Sequence, residues 1–214
     1  MVKQNTTIIY ENTVAGTFVR RMNRFTAEVL IDGAPQIVHV KNTGRLQELL
    51  MPEAKVTLQK TLNPNRKTAY DLISVYKPKL KWVNIDSLAP NALMKQQLMS
   101  LNYELVKPEY TYGESRIDFY MERDGERFLT EVKGCTLADD LHLGIGLFPD
   151  APTERGVKHL QELTKAAKEG YHCSIAFVIQ MNGIHCVLPN EGAQPEFKEA
   201  LVKAARAGVQ IVCY

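Results

Sequence analysis

From Phe25 to Ile31 the apolar residues Phe25, Ala27, Val29 and Ile31 fall on every second position, with Thr26 and Glu28 between them. A two-residue period predicts a strand with one inward face, and places Phe25 in the core. Asp32-Gly33 is a turn signal, and QIVHV (36–40) returns as a second strand. After the turn signal Asn42-Thr43-Gly44, RLQELL (45–50) reads as a short helical piece; KVTLQK (55–60) and YDLISVY (70–76) are further strands around Asn63-Pro64-Asn65. Several short strands with one apolar face predict a small closed barrel over residues 1–80, because closure removes exposed edges.

From about residue 81 the period changes. Ser87 is placed to cap a helix with Pro90 in its first turn and Leu93, Leu98 and Leu101 along it. An extended segment (105–112) and two strands, RIDFYM (116–121) and RFLTEVK (127–133), come next. A connection from 134 to 152 has no clear period, and such length in a compact domain usually carries function or mobility. Thr153 caps a second helix that Gly170 ends; an apolar strand (172–180), a strand (184–189), a helix (195–208) and a last strand (209–214) complete the chain. Residues 81–214 thus form an α/β domain with a central mixed sheet flanked by helices.

Composition narrows the class. The chain has 214 residues, 45% of them hydrophobic, which suffices for a real core. No apolar run approaches the roughly 18 residues of a membrane span, and MVKQNTTIIYENTV lacks the pattern of a secretory signal, which predicts a cytoplasmic protein. Cys135, Cys173, Cys186 and Cys213 show no zinc-site spacing; the last three lie in apolar strand-like runs and read as buried free thiols. Residues 1–80 carry 12 Lys and Arg against 6 Asp and Glu, net +6, while 81–214 carry 14 against 18, net −4. A basic module joined to an acidic one suits gripping a polyanion with one part and a cation with the other, although solubility alone can produce such a split.

The candidate chemistry sits on the hairpin at 116–133. With Asp124-Gly125 as a two-residue turn, paired numbers sum to 249, so Asp118 faces Glu131, and Lys133 shares Glu131's face. Opposed carboxylates repel unless a cation lies between them. Mg2+ or Mn2+ meets that need and can polarise a phosphate oxygen and activate water, while Lys133 stabilises the charge that grows on phosphorus. Asp118, Glu131 and Lys133 are therefore the catalytic candidates and Asp118, Glu131 and Glu109 the metal ligands, with Glu104 ranked behind Glu109. A salt-bridge ladder on a polar face is the plainer alternative. Arg116 could pair with the carboxylates or meet phosphate. Arg155 and His159, four apart on one helical face, could meet phosphate with Thr153 and the N–H groups of 154–156, or could be surface residues. In the basic module Arg20, Arg21, Arg24, Asn63, Arg66 and Lys67 are the expected phosphate contacts, an arrangement that favours backbone over base recognition.

Several blocks in one order carry a resemblance: GTFVRRMNRF (16–25), HVKNTG (39–44), NPNRK (63–67), WVN (82–84), GESRIDF (113–119), EVKGCTL (131–137), FPDAPTERGVKHL (148–160) and FVIQ (177–180). Over nearly its whole length the chain resembles the sugar fermentation stimulation protein A family. The resemblance implies an OB-like N-terminal domain, a C-terminal domain similar to the PD-(D/E)xK nucleases, DNA binding without marked sequence specificity, and a link to sugar, particularly maltose, utilisation. Its nuclease pattern falls on Asp118, Glu131 and Lys133. One departure is Pro52-Glu53-Ala54, where a glycine would be usual before the next strand.

Two functions follow as expectations: a DNA-binding protein with a metal-dependent phosphodiesterase site, or a DNA-binding regulatory factor that kept the nuclease scaffold without turnover. An enzyme of small phosphorylated metabolites fits less well, since an extended cationic surface is not a deep pocket. DNA is the expected partner, with no small-molecule cofactor implied, and a homodimer would suit the two strands of a duplex.

Overall fold

The computed structural model describes residues 10–139, 142 and 144–214. The readings at the extreme N-terminus and at 140, 141 and 143 within the long connection lie outside the described residues. Among the described residues no helix is long and apolar enough to cross a membrane. The chain separates into two compact units, one running to Leu88 and including Gln180–Gly183, the other made of Ala89–Ile179 and Ile184–Tyr214.

The first unit is built from β1 (Thr13–Arg21), β2 (Thr26–Ile31), β3 (Ala34–Val40), β4 (Lys55–Lys60), β5 (Tyr70–Lys77) and β6 (Lys81–Asn84). The order β3-β2-β1-β4-β5-β6 is closed by pairing of β3 with β5, so five strands form the OB barrel and β6 extends it beyond β5. Alternation fills the barrel with Ala27, Val29, Val38, Val40, Val56, Leu58, Leu72 and Val75. Asp32 and Gly33 both have positive φ (50° and 78°), the mirror-image turn that matches strand twist.

Lys81–Asn84 pairs antiparallel with β5, and the first compact unit runs on to Leu88. Several expectations need correction here. Strand β1 escapes the periodicity because Gly16 interrupts it. A Cβ there would stand 2.7 Å from Leu58 Cδ1 and 3.0 Å from the Leu30 carbonyl, so neighbouring chain fills the space of a side chain. Phe25 is 54% exposed, since the ladder to β3 begins at Thr26 and leaves Phe25 in the connecting loop. RLQELL makes a single turn in which Leu49 and Leu50 N–H groups both reach the Leu46 carbonyl; Leu46 has a φ of 50°, outside helical geometry. The Ser87 hydroxyl donates to the Lys41 carbonyl instead of capping a helix.

The second unit contains α1 (Ala89–Met99), β7 (Leu105–Tyr112), β8 (Ser115–Arg123), β9 (Glu126–Cys135), β10 (Leu137–Ala138), β11 (Ile145–Phe148), α2 (Glu154–Lys168), β12 (His172–Ile179), β13 (Cys186–Pro189), α3 (Pro195–Arg206) and β14 (Gln210–Cys213). The main sheet has the order β14-β12-β9-β8-β7, with β12 parallel to β9 and β14 and the β7–β8–β9 meander antiparallel. The mixed sheet with helices is the fold expected. The long connection is not featureless: β10 and β11 pair, and β11 runs parallel to β13 in a small second sheet.

On one face of the main sheet Met94 and Leu98 of α1 pack on Phe119, Met121, Val132, Ala176 and Val178. α2 is capped by Thr153, whose hydroxyl accepts from Gly156 N–H at 3.0 Å, and Gly170 follows its end with a φ of 86°. Cys135 and Cys173 are buried, and burial pushes both thiols up to about 12. Cys186 and Cys213 are exposed, contrary to the apolar-run reading, because each stands on the outward phase of a short strand.

Candidate active site

The β8–β9 hairpin turns through Asp124 and Gly125, both at positive φ (53° and 76°), and pairs Arg123 with Glu126 through to Phe119 with Thr130. The next step in that register sets Asp118 against Glu131. There the side chain enters the ladder: Asp118 Oδ2 accepts from Val132 N–H at 2.8 Å, and Oδ1 accepts from Asn91 Nδ2 at 2.9 Å. Asn91 stands in the first turn of α1, and nothing in its sequence surroundings marks it.

While Val132 packs toward α1, Glu131 and Lys133 take the opposite face of β9, on which His159 of α2 reaches Glu131. Glu131 is 1% exposed, a costly place for a carboxylate without partners. Its Oε1 accepts from Lys133 Nζ at 2.6 Å and from His159 Nδ1. His159 Nε2 accepts in turn from Arg155 Nε at 3.3 Å, which fixes the proton on Nδ1 if the ring is neutral. Burial alone would raise the Glu131 carboxyl, but the His159 and Lys133 contacts outweigh it and hold the group below its ordinary value. Asp118 moves the other way, raised by burial and by the Glu131 charge, with the Val132, Asn91 and Lys133 contacts pulling against the rise.

Two observations bear on a cation. Glu131 Oε2 is buried with no hydrogen-bond partner among the described residues, and the Glu131 charge disfavours that of the neighbouring Asp118. A hard divalent ion binds oxygen ligands and relieves such repulsion, so Asp118 and Glu131 fit one. Glu109 does not join them: at a φ of 54° it stands 67% exposed at the side chain, 3.7 Å from Arg116. Among the described residues no group of three or more His, Cys, Asp or Glu is disposed to hold a metal.

The other expected contacts divide. His159 is 4% exposed and belongs to the carboxylate cluster, so it is not a surface phosphate ligand. Gly156 N–H is taken by Thr153, while Arg155 remains exposed at the end of the chain of bonds to Glu131. Arg21 is structural: its guanidinium donates to the carbonyls of Asn23, Arg24, Asn42, Gly44 and Arg45. Arg66 is engaged with both oxygens of Asp71, and Asn63 accepts from Asn65 N–H within its own turn. Arg20 pairs with Glu28 at 2.7 Å though 67% exposed, and Arg116 is similarly open. Arg24 and Lys67 are exposed.

An OB barrel and a mixed-sheet α/β domain carrying a D…E-x-K hairpin define the class of this protein. Residues 19–85 match the SfsA N-terminal OB domain and residues 85–214 the sugar fermentation stimulation protein RE domain. The chain belongs to the sugar fermentation stimulation protein family. It is 47% identical over 207 residues to the sugar fermentation stimulation protein homolog of Ruminiclostridium cellulolyticum, covering 95% of this chain and 90% of the relative. The homolog of Clostridium acetobutylicum is 46% identical over 209 residues, with 94% and 89% covered. The structure of Pyrococcus furiosus SfsA in complex with Ca2+ superposes with a TM-score of 0.86 at 26% identity, over 98% of this chain and 90% of that one.

Proposed function

We propose that the protein binds DNA with little sequence preference and hydrolyses phosphodiester bonds with a divalent metal, Mg2+ or Mn2+, held by Asp118 and Glu131. The observation that carries this reading is the buried Glu131, whose Oε1 is held by Lys133 and His159 while Oε2 has no partner among the described residues. A purely structural carboxylate would be expected to satisfy both oxygens. The Ca2+ complex of the Pyrococcus furiosus relative adds support for a cation in this fold.

When bound, such an ion supplies Lewis acidity toward a phosphate oxygen and lowers the pKa of water. The residues of the chain do the rest. Asn91 and Val132 N–H fix the Asp118 carboxylate, and His159 fixes Glu131. Lys133, 15% exposed at the side chain, offers its remaining N–H donors to an attacking water or to the charge growing on the phosphate. Arg24, Lys67 and the other open cations of the barrel would hold the backbone, giving salt-dependent binding.

A retired scaffold is the second reading, favoured by the lack of a third metal-binding side chain among the described residues. Incubating single-stranded, duplex and branched DNAs with Mg2+ or Mn2+, and comparing wild type with Asp118→Ala, separates the two. Cutting that disappears in a variant still able to shift DNA without metal supports the enzyme. Intact binding with no cutting of any substrate leaves the regulatory factor.

A further inference from the structure

The β5–β6 hairpin carries a group of residues that the barrel does not need. Across it Tyr76 pairs with Trp82 and Lys77 with Lys81. The rings of Tyr76 and Trp82 meet edge to face, with centroids 5.4 Å apart, and Trp82 is still 46% exposed. Lys77 and Lys81 are like charges in directly opposed positions, an arrangement that costs stability in a ladder. Lys79, exposed, stands in the connecting turn between them. Among the described residues none of these three lysines has an ion pair, so the hairpin tip carries three cations without a carboxylate to offset them.

β6 is the outer strand of its sheet. Edge lysines protect such a strand from pairing with other chains, and that role would explain one or two of them. It does not explain a half-exposed indole whose chain neighbour is Lys81, opposite a tyrosine whose chain neighbour is Lys77. Cross-strand pairing sets the two aromatics opposite one another and the two lysines at the next pair toward the hairpin tip. A polyanion crossing the edge would meet both: flat unpaired groups lie on the aromatic pair while the charged backbone passes the lysines. An acidic peptide would use the lysines but leave the indole idle, and duplex DNA keeps its bases within the stack.

We infer that the β5–β6 hairpin is a binding site for single-stranded nucleic acid, in which an unpaired base stacks on Trp82 and Lys77, Lys79 and Lys81 contact the adjoining phosphates. This rests on the DNA-binding reading above and deepens it. The barrel would then favour strands with unpaired nucleotides over continuous duplex, a preference the basic loops alone do not supply. Base–aromatic stacking tolerates any base, so the preference is for structure and not sequence.

Trp82 is the only tryptophan of the chain, so its fluorescence reports this site alone. Titrating the full chain with oligo-dT, without metal, should quench and shift that emission, whereas a duplex of equal length should change it little. Trp82→Ala should weaken oligo-dT binding by roughly 10- to 100-fold and leave duplex binding within about twofold, and Trp82→Phe should restore most of the loss. Lys79→Ala/Lys81→Ala should lower the slope of log affinity against log salt by about 1.4 on single strands. The Phe variant and unchanged unfolding midpoints guard against misfolding. Mobility shift of both DNAs with unaltered Trp82 emission, and Trp82→Ala equal to wild type, would overturn the hairpin site while leaving DNA binding intact. Failure to bind either DNA would remove both readings together.

Discussion

Lys133 Nζ and His159 Nδ1 converge on the same oxygen of Glu131, Lys133 at 2.6 Å. One carboxylate oxygen thus takes two donors while the other, also buried, takes none among the described residues. Lys133 reaches Glu131 from two residues along the same strand, and His159 reaches it from a different element. The lysine contact is therefore a matter of strand period, whereas the histidine contact depends on how α2 lies on the sheet.

His159 should contribute to stability well beyond its neighbour Arg155. His159→Ala removes a buried donor from a buried charge, an effect of about 1–3 kcal/mol. Arg155→Ala loses only an exposed partner at 3.3 Å and should stay within about 0.5 kcal/mol. Urea unfolding of the two variants checks this; equal midpoints would mean that His159 does not sustain the Glu131 charge.

Arg21 and Arg24, three residues apart, should separate stability from binding. Arg21 is partly buried, which lowers its pKa together with the nearby Arg24 charge, and it holds five carbonyls of two loops. Arg21→Ala should destabilise the barrel by about 2–3 kcal/mol, allowing for its partial exposure. Arg24→Ala should leave the unfolding midpoint unchanged and reduce the salt slope of duplex binding by about 0.9. The reverse pattern would place the phosphate contact on Arg21.

The Asp71 ion pair predicts acid sensitivity of the barrel. Burial alone would raise this carboxyl, but the Arg66 and His39 hydrogen bonds outweigh it and hold it below its ordinary value. An acid that ionises more readily folded than unfolded contributes stability that is complete above its unfolded pKa, about 4, and lost as pH falls through the folded value. Asp71→Asn should therefore lower the urea midpoint clearly at pH 6, with the difference from wild type shrinking toward pH 3. A difference constant with pH would show that shape, not charge, is what Asp71 contributes.

Glu53 occupies a glycine's conformation. Its φ of 67° falls in the left-handed region, and its N–H donates to the Phe18 carbonyl at 2.9 Å, which pins that geometry. The departure noted at Pro52-Glu53-Ala54 therefore costs backbone strain, about 1–2 kcal/mol for an L-residue, part of which a glycine would return to chain entropy. Glu53→Gly should raise the unfolding midpoint by an amount equivalent to about 0.5–1 kcal/mol, as thermal or urea melts would read. A lowered midpoint would mean that the glutamate side chain contributes more than its backbone costs.

Local sequence determined the parts that depend on local physics. The two-residue period fixed the strands around Val29 and Val56, and Asp124-Gly125 fixed the turn and with it the 249 register that sets Asp118 near Glu131. Thr153 and Gly170 bounded α2 because capping needs only neighbouring backbone groups. Tertiary structure decided the remainder, since those outcomes depend on residues far apart in the chain. Asn91 meets Asp118 across 27 positions, and His159 meets Glu131 across 28. Arg21, Arg66 and Arg24 look alike as basic residues; only the carbonyls at 42–45 and the carboxylate of Asp71 distinguish structural cations from open ones. Phe25 continues the period of β2, yet the strand's pairing begins one residue later and leaves the ring in water. Periodicity says which side chains share a face; what covers that face is settled only when distant segments pack.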